Sequence, residues 1–195
     1  MHELNEAGAR LAREVADGCG ALVLGSMGPT GDLMEPLGVM THDACAELYA
    51  EQAAGLAAGG AHILLAETFS DLGEVRAAVE GARRGAPGLP VAVTMTFDLK
   101  GHTMMGVSPL QALEGIAELG VEMIGGNCGS GPEEIENVMM VMTANRLKPE
   151  NASCGVSTPV ARRPARTRSA TRSARMRPDR NRKTAAPRMA TVKSA

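Results

Sequence analysis

The sequence predicts an α/β fold that forms part of a parallel (β/α)8 barrel of the TIM type. Short apolar runs rich in Val, Ile, Leu and Met alternate with longer segments of helical period, which is the pattern of strands buried on both faces by crossover helices. The later runs recur about every 30 residues, the length of one β/α unit. The chain has 195 residues, whereas a complete barrel usually needs about 250. We therefore expect a partial barrel with about four parallel strands.

Four apolar runs predict the strands, at residues 21–26, 62–68, 90–97 and 121–127. Helices are predicted before, between and after them. The first helix, at residues 3–17, carries on one stripe the residues Leu4, Leu11, Ala12 and Val15. Such a stripe is typical of a helix that buries one face.

The second helix is predicted from Thr41, a suitable N-cap, to the glycine pair at 59–60. Three more are predicted at residues 71–84, 109–119 and 132–145, and Pro132 suits the first position of the last one. A chain that opens on a helix and has four strands cannot close an eight-stranded barrel. We therefore expect strands to be missing before residue 1 and after residue 150, and the open sheet edges favour self-association.

Charge divides the chain into two parts. Residues 1–152 hold 8 Lys or Arg against 21 Asp or Glu, a net charge of −13, whereas residues 153–195 hold 12 against 1, a net charge of +11. The second part has no apolar periodicity and cannot bury a core. We predict a partial barrel domain over 1–152 and a disordered, low-complexity basic tail over 153–195.

Two interpretations of the tail are open: a natural basic arm that binds nucleic acid, or translation in a shifted reading frame. The basic composition begins abruptly, where another β/α unit is due. This onset favours the shifted frame, and nucleic acid is then not expected as a partner.

Cysteine usage and hydropathy bear on the location of the protein. Cys19, Cys45, Cys128 and Cys154 stand at wide spacings, and no apolar signal segment opens the chain, which is unlike a secreted disulfide framework. No apolar run approaches the roughly 20 residues of a membrane-spanning helix. We expect a soluble, cytoplasmic protein with no membrane partner.

Two candidate functional residues stand where predicted strands end, the place where parallel β/α folds bind ligands. Cys128 precedes a predicted helix start, where loop amides and the helix dipole favour a thiolate that could serve as metal ligand or nucleophile. The alternative is a small buried residue, and the surrounding glycines favour function. Glu67 ends a buried strand, where an acid is costly unless a cation meets it. A substrate ammonium, a structural ion pair or a helix cap would each satisfy this requirement.

Other residues give weaker signals. The loop GSMGPTGD (25–32) lacks both the GxGxxG pattern and a P-loop lysine, so its glycines are interpreted as allowing a substrate to approach the backbone. His42, His62 and His102 show no metal-binding spacing. Cys19 and Cys45 are interpreted as packing residues.

Four motifs stand in order on consecutive predicted strands: GSMGPTGDLMEPLG (25–38), AETFSDLGE (66–74), TMTFDLKGHTMMG (94–106) and GGNCGSGPEEI (125–135). Together, over about residues 5–150, they resemble the homocysteine S-methyltransferase family. This family includes the homocysteine-binding module of cobalamin-dependent methionine synthase and the betaine-homocysteine methyltransferases. The resemblance implies a β/α barrel that transfers a methyl group to the thiolate of homocysteine and so makes methionine.

The resemblance also implies a zinc ion held by three cysteine thiolates, and it places Cys128 on the first of them. The other two form a vicinal pair that this sequence lacks, and Cys154 is no substitute. Glu67 is implied to bind the amino group of homocysteine, and Asn127 to shape the substrate site. The methyl donor is not identified, and cobalamin or folate would enter only through partner domains. With one of three ligands, we expect poor zinc binding and no methyl transfer by this chain.

Two other functions are weighed against this one. The first is another β/α-barrel enzyme, of the aldolase or decarboxylase type, with Glu67 as acid or base and the GSGP loop as a phosphate site. The second is an inert domain whose basic tail binds nucleic acid.

Overall fold

A computed structural model describes residues 1–98, 100–146 and 189–192. The helices are α1 (His2–Cys19), α2 (His42–Ala58), α3 (Leu72–Gly85), α4 (Pro109–Ala117) and α5 (Pro132–Arg146). The strands are β1 (Leu22–Met27), β2 (Ile63–Phe69), β3 (Val91–Met95), β4 (Met123–Gly126) and β5 (Met189–Val192). The five predicted helices and four predicted strands are confirmed, with ends shifted by a few residues.

All five strands lie parallel in one sheet, in the order β4-β3-β2-β1-β5. From β1 to β4 the strands follow one another across the sheet in chain order, and a helix joins each to the next. Because such crossovers are almost always right-handed, successive helices collect on one face, and α1 to α5 contact one another in sequence. This arrangement of consecutive β/α units confirms the predicted fold class.

Local capping explains where three helices begin. The Thr41 side chain accepts a hydrogen bond from the Ala44 amide at 3.2 Å, which confirms the predicted N-cap of α2. Asp71 caps α3 by accepting from the Gly73 amide at 2.6 Å. Ser108 and Gln111 form a reciprocal capping box at the start of α4. Each cap satisfies amides that have no partner within the helix.

The core lies between the helices and the sheet. Its largest fully buried side chains include Phe69, Phe97, Met27 and Leu56. Helices α2 and α3 approach closely because α3 carries two glycines at their contact, Gly81 and Gly85. A Cβ atom on either would collide with the α2 backbone.

The predicted buried stripe of α1 is wrong. Leu4, Leu11 and Val15 are 72%, 66% and 73% exposed, while the buried residues of α1 are Asn5, Ala9 and Ala16. The reason is the close contact between α1 and α2, where a Cβ atom on Gly55 or Gly59 of α2 would collide with the α1 backbone. Small residues permit this approach, so they occupy the interface and the larger side chains face outward.

The fifth strand corrects the prediction that the whole segment 153–195 is disordered. Residues 189–192 pair in parallel with β1, with Met189 opposite Leu22 and Val192 opposite Gly25. A sheet edge presents unpaired backbone amides and carbonyls, so a segment without apolar periodicity can still add a short strand through its backbone. The rest of the predicted tail, including Cys154, lies outside the described residues, as does the predicted domain boundary at 152.

Within the described ranges, no helix is both long enough and apolar enough to cross a membrane.

Candidate functional site

The predicted site residues Glu67, Asn127 and Cys128 collect at one edge of the sheet, where Ser26 and Thr94 also lie. Ser26 lies near the end of β1, Glu67 near the end of β2 and Thr94 near the end of β3, while Asn127 and Cys128 follow β4 directly. The strands are parallel, so their carboxyl ends share this edge. The sequence predicted this placement from the order of strands and motifs.

Three of these side chains point away from the helices. A side chain on Gly25 would meet Leu56 of α2, so Gly25 faces the helices, and Ser26, the next residue, faces the opposite way. We call the face opposite the helices the open face, defined by Ser26, Glu67 and Thr94. The hydrogen bonds described below join Ser26 to Glu67, and Thr94 to Asn127.

Ser26 and Glu67 form the first cluster of the open face. The Ser26 hydroxyl donates to Oε1 of Glu67 at 2.6 Å, and Ser26 is only 4% exposed. This short hydrogen bond holds the carboxylate oxygen in place. The pair therefore presents a half-buried negative charge, oriented by β1, at the end of β2.

The two structural alternatives for Glu67 are not supported. Among the residues that the structure describes, no ion pair joins Glu67 to a cationic side chain. The cap of the following helix is Asp71, not Glu67. A half-buried carboxylate without a cationic partner favours the third alternative, a cationic group on a ligand.

Asn127 joins the ends of three strands. Its Nδ2 donates to the Thr68 hydroxyl at 2.7 Å and to Sγ of Cys128 at 3.3 Å. Its Oδ1 accepts from the Thr94 hydroxyl at 2.8 Å. The amide has two hydrogens, so both donor bonds are made at once. Asn127 thus fixes the relative positions of Thr68, Thr94 and Cys128.

The backbone is strained at two residues of this cluster. Thr68 has a φ of 70° and Cys128 a φ of 57°, both in the left-handed region that side chains disfavour. Such conformations persist where surrounding contacts impose them and often mark functional sites. Both residues bond to Asn127, which is one such contact.

The residues present do not fit a zinc site of three thiolates. Cys128 is exposed, and its Sγ accepts from Asn127. In the described part of the chain no three His, Cys, Asp or Glu side chains are grouped so that they could hold a metal ion. The full sequence has no vicinal cysteine pair. His62 is occupied elsewhere, because its Nδ1 accepts from the Val23 amide at 2.8 Å, and His42 bonds to Glu80 at 2.9 Å.

A second polar cluster, which the sequence did not predict, holds the loop after β1. Glu74 of α3 is 5% exposed, and its Oε1 accepts from the Thr30 amide at 2.7 Å, the Thr30 hydroxyl at 2.8 Å and the Tyr49 hydroxyl at 3.1 Å. The Tyr49 hydroxyl also lies 3.0 Å from the carbonyl oxygen of Gly28. Burial, and then the negative charge of Glu74, raise the pKa of Tyr49 and raise that of the nearby Cys45 thiol to about 11.

The prediction that Cys19 and Cys45 are packing residues is right for one of them and wrong for the other. Cys45 is fully buried, which confirms its predicted role. Cys19 is exposed near the end of α1, so that prediction is wrong. Cys19 is the last residue of helix α1, directly before the left-handed C-cap Gly20, and it lies at the surface.

The sequence missed the partners that organise the site. Ser26, Thr68, Thr94 and Glu74 all lie within the quoted motifs, but the motifs alone give no reason to single out any of them. One signal was available: a polar residue near the carboxyl end of an otherwise apolar strand needs a partner when it is buried.

Comparison with known proteins decides the family. The sequence profile described as homocysteine S-methyltransferase matches residues 1–187. This chain belongs to the homocysteine S-methyltransferase family.

Individual relatives agree with this assignment. The methionine synthase of Mycobacterium tuberculosis is 34% identical over 169 residues, which are 82% of this chain and 14% of that protein. The betaine-homocysteine S-methyltransferase 1 of Sus scrofa is 31% identical over 130 residues, which are 67% of this chain and 45% of that protein. This chain therefore spans less than half the length of either relative.

A solved structure shows the same fold. The homocysteine methyltransferase MmuM from Escherichia coli, in its apo form, superposes with a TM-score of 0.55 at 22% identity. The match covers 75% of this chain and 61% of that one. At this identity the likeness concerns the fold alone, which supports the predicted partial barrel.

Proposed function

We propose that this chain supplies the homocysteine-recognition part of a homocysteine S-methyltransferase, an enzyme that moves a methyl group to the thiolate of homocysteine and makes methionine. Family membership supports the reaction class. The observation that carries the proposal for this chain is the Glu67 carboxylate, which lies on the open face, accepts from Ser26 and has no cationic partner among the described side chains.

Each residue of the open face has a part in this proposal. Glu67 receives the ammonium group of homocysteine, and the Ser26 hydroxyl holds one carboxylate oxygen in place. Asn127 fixes the chain at the ends of β2, β3 and β4, and with it the position of the Cys128 thiol. The substrate's amino and thiol groups then meet different strands of the same sheet edge.

Zinc would lower the pKa of a coordinated homocysteine thiol and so supply a thiolate at neutral pH. Cys128 is the residue that would ligate it. The described side chains offer no other ligands at that place, and a zinc site needs at least three protein ligands. We therefore expect the purified chain to bind homocysteine without methylating it.

The remaining partners are part of the proposal. The methyl donor is not identified by the acceptor site, and cobalamin or folate would enter through partner domains. We propose a cytoplasmic location, in keeping with free cysteines and with a reaction on a small metabolite.

Calorimetric titration of homocysteine into the purified chain tests the proposal. Glu67→Gln keeps the shape of the side chain and removes its charge, and we expect the Kd to rise at least about tenfold, since hydrogen bonds to charged groups contribute about 1.5–3 kcal/mol. Glu136→Gln, an exposed change on α5, is the matched control and should leave the Kd unchanged. Equal binding by wild type and Glu67→Gln, or no binding by wild type, would contradict the proposal.

A further inference from the structure

Glu74 is a buried carboxylate that has no part in the proposed recognition of homocysteine. It lies in the first turn of α3 and is 5% exposed. No Lys, Arg or His side chain in the described ranges forms an ion pair with it. A buried acid without a cation is costly unless hydrogen bonds compensate for the lost water. Such a group persists only where it has a role in holding the surrounding structure.

The partners of Glu74 show that it is an acceptor. The Thr30 amide can only donate, and it reaches Oε1 at 2.7 Å. The hydroxyls of Thr30 and Tyr49 lie 2.8 Å and 3.1 Å from the same oxygen. Three donor groups thus lie within hydrogen-bond distance of one oxygen, and the Tyr49 hydroxyl shares its single hydrogen with the Gly28 carbonyl.

These bonds hold one short segment of chain. The segment is Gly28–Thr30, which begins directly after Met27, the last residue of β1. Glu74 binds its end at Thr30, and the Tyr49 hydroxyl, shared between Glu74 and the Gly28 carbonyl, binds its start. Helices α2 and α3 thereby fix the loop that leaves the strand bearing Ser26. Without Glu74 the segment would lose both bonds that Thr30 donates to the carboxylate and would keep the contact between Tyr49 and Gly28.

We propose that Glu74 is a positioning residue, which holds the Gly28–Thr30 segment as one wall of the amino-acid site formed by Ser26 and Glu67. Glu74 itself does not touch the substrate. The inference rests on the proposed function for the identity of the ligand. The loop it holds leaves β1 two residues after Ser26, so movement of the loop changes the surroundings of the Ser26–Glu67 hydrogen bond.

The first measurement needs no ligand. Hydrogen exchange of the amides of residues 28–32 is compared between wild type, Glu74→Gln and the control Glu114→Gln, an exposed change on α4. We expect exchange in Glu74→Gln to be at least about tenfold faster, because the Thr30 amide loses a charged acceptor. The control should match wild type. Unchanged exchange in Glu74→Gln overturns the inference.

The second measurement separates positioning from general stability. Homocysteine and 4-mercaptobutanoate, which lacks the ammonium group, are titrated into each variant. Glu74→Gln should lower the preference for homocysteine about fivefold or more, whereas a merely structural loss would change both affinities equally. Tyr49→Phe, which removes one donor to Glu74, should give a smaller change in the same direction. It also serves as the test variant if Glu74→Gln does not fold.

The outcomes distinguish this inference from the function on which it rests. If wild type binds homocysteine and the preference is the same in Glu74→Gln, only the positioning role is overturned. If wild type binds neither compound, the proposed function fails together with the role in recognition. The exchange measurement then reports on the loop alone.

Discussion

The two ends of the candidate site are built differently. Ser26 and Glu67 lie on β1 and β2, which have strands on both sides. Asn127 and Cys128 follow β4, the last strand on the other side of the sheet. Ser26 is buried and Glu67 half-buried, whereas Cys128 is exposed. The inner end of the site is therefore enclosed, and the outer end is open.

The difference shows which kind of binding site a partial sheet can form by itself. Recognition of an ammonium group needs one carboxylate and a neighbour that orients it, and two adjacent strands supply both. A zinc site needs several ligands that converge on one point. Here β4 brings one thiol, and the described residues bring no companions to it. Under the proposed function, binding of the amino acid and activation of its thiol are therefore separable in this chain.

The largest expected effect is a difference in alkylation rate between two thiols, Cys45 and Cys128. Burial, and then the charge of Glu74, raise the pKa of Cys45 to about 11, so at pH 8 only about one thiol in a thousand is ionised, against about one in four for an ordinary pKa near 8.5. We expect iodoacetamide to label Cys45 more than about 100-fold more slowly than the exposed Cys128. The rate at Cys45 should rise with pH up to about 11.

Mass spectrometry of the separate peptides measures both rates in one sample. The exposed Cys19 serves as the internal control for reagent activity. Similar rates at Cys45 and Cys128 under native conditions would contradict the burial of Cys45 in the core beside Glu74.

A smaller effect concerns the backbone at the outer end. Cys128 has a φ of 57°, where glycine avoids a cost of about 1 kcal/mol that alanine bears. The free energy of unfolding should therefore be about 1 kcal/mol higher for Cys128→Gly than for Cys128→Ala, measured by urea denaturation. Ser130 has no positive φ, so Ser130→Gly and Ser130→Ala serve as the control pair. The free energy of unfolding should not be higher for Ser130→Gly than for Ser130→Ala. A Cys128→Ala variant as stable as Cys128→Gly would remove the argument for imposed strain.

Much of the fold follows from local patterns. An apolar run in the sequence predicts the strand of each β/α unit. Capping residues such as Thr41 predict where helices begin. The outward face of α1 could not be predicted in this way, because it depends on glycines of α2 that lie about 50 residues away in the sequence. The strand at 189–192 has only four residues, Met-Ala-Thr-Val, and is too short to stand out within the basic segment that contains it.

The site was predictable in part for a similar reason. The motifs predicted that Glu67, Asn127 and Cys128 lie at the ends of strands, and the structure places them there. Their hydrogen bonds join residues far apart in sequence, such as Thr68 and Asn127. Partners of this kind depend on strand register, which the sequence alone did not specify. The structural roles of Ser26, Thr94 and Glu74 became visible only with the register.

The separation of recognition from metal binding is tested most directly by titrating homocysteine into the chain with a chelator and again with one equivalent of zinc. We expect the two Kd values to agree within about twofold, because Glu67 binds the amino group and Cys128 alone holds zinc weakly. A Kd that falls tenfold or more with zinc, or binding that requires zinc, would contradict the account and show that this chain assembles a working metal site.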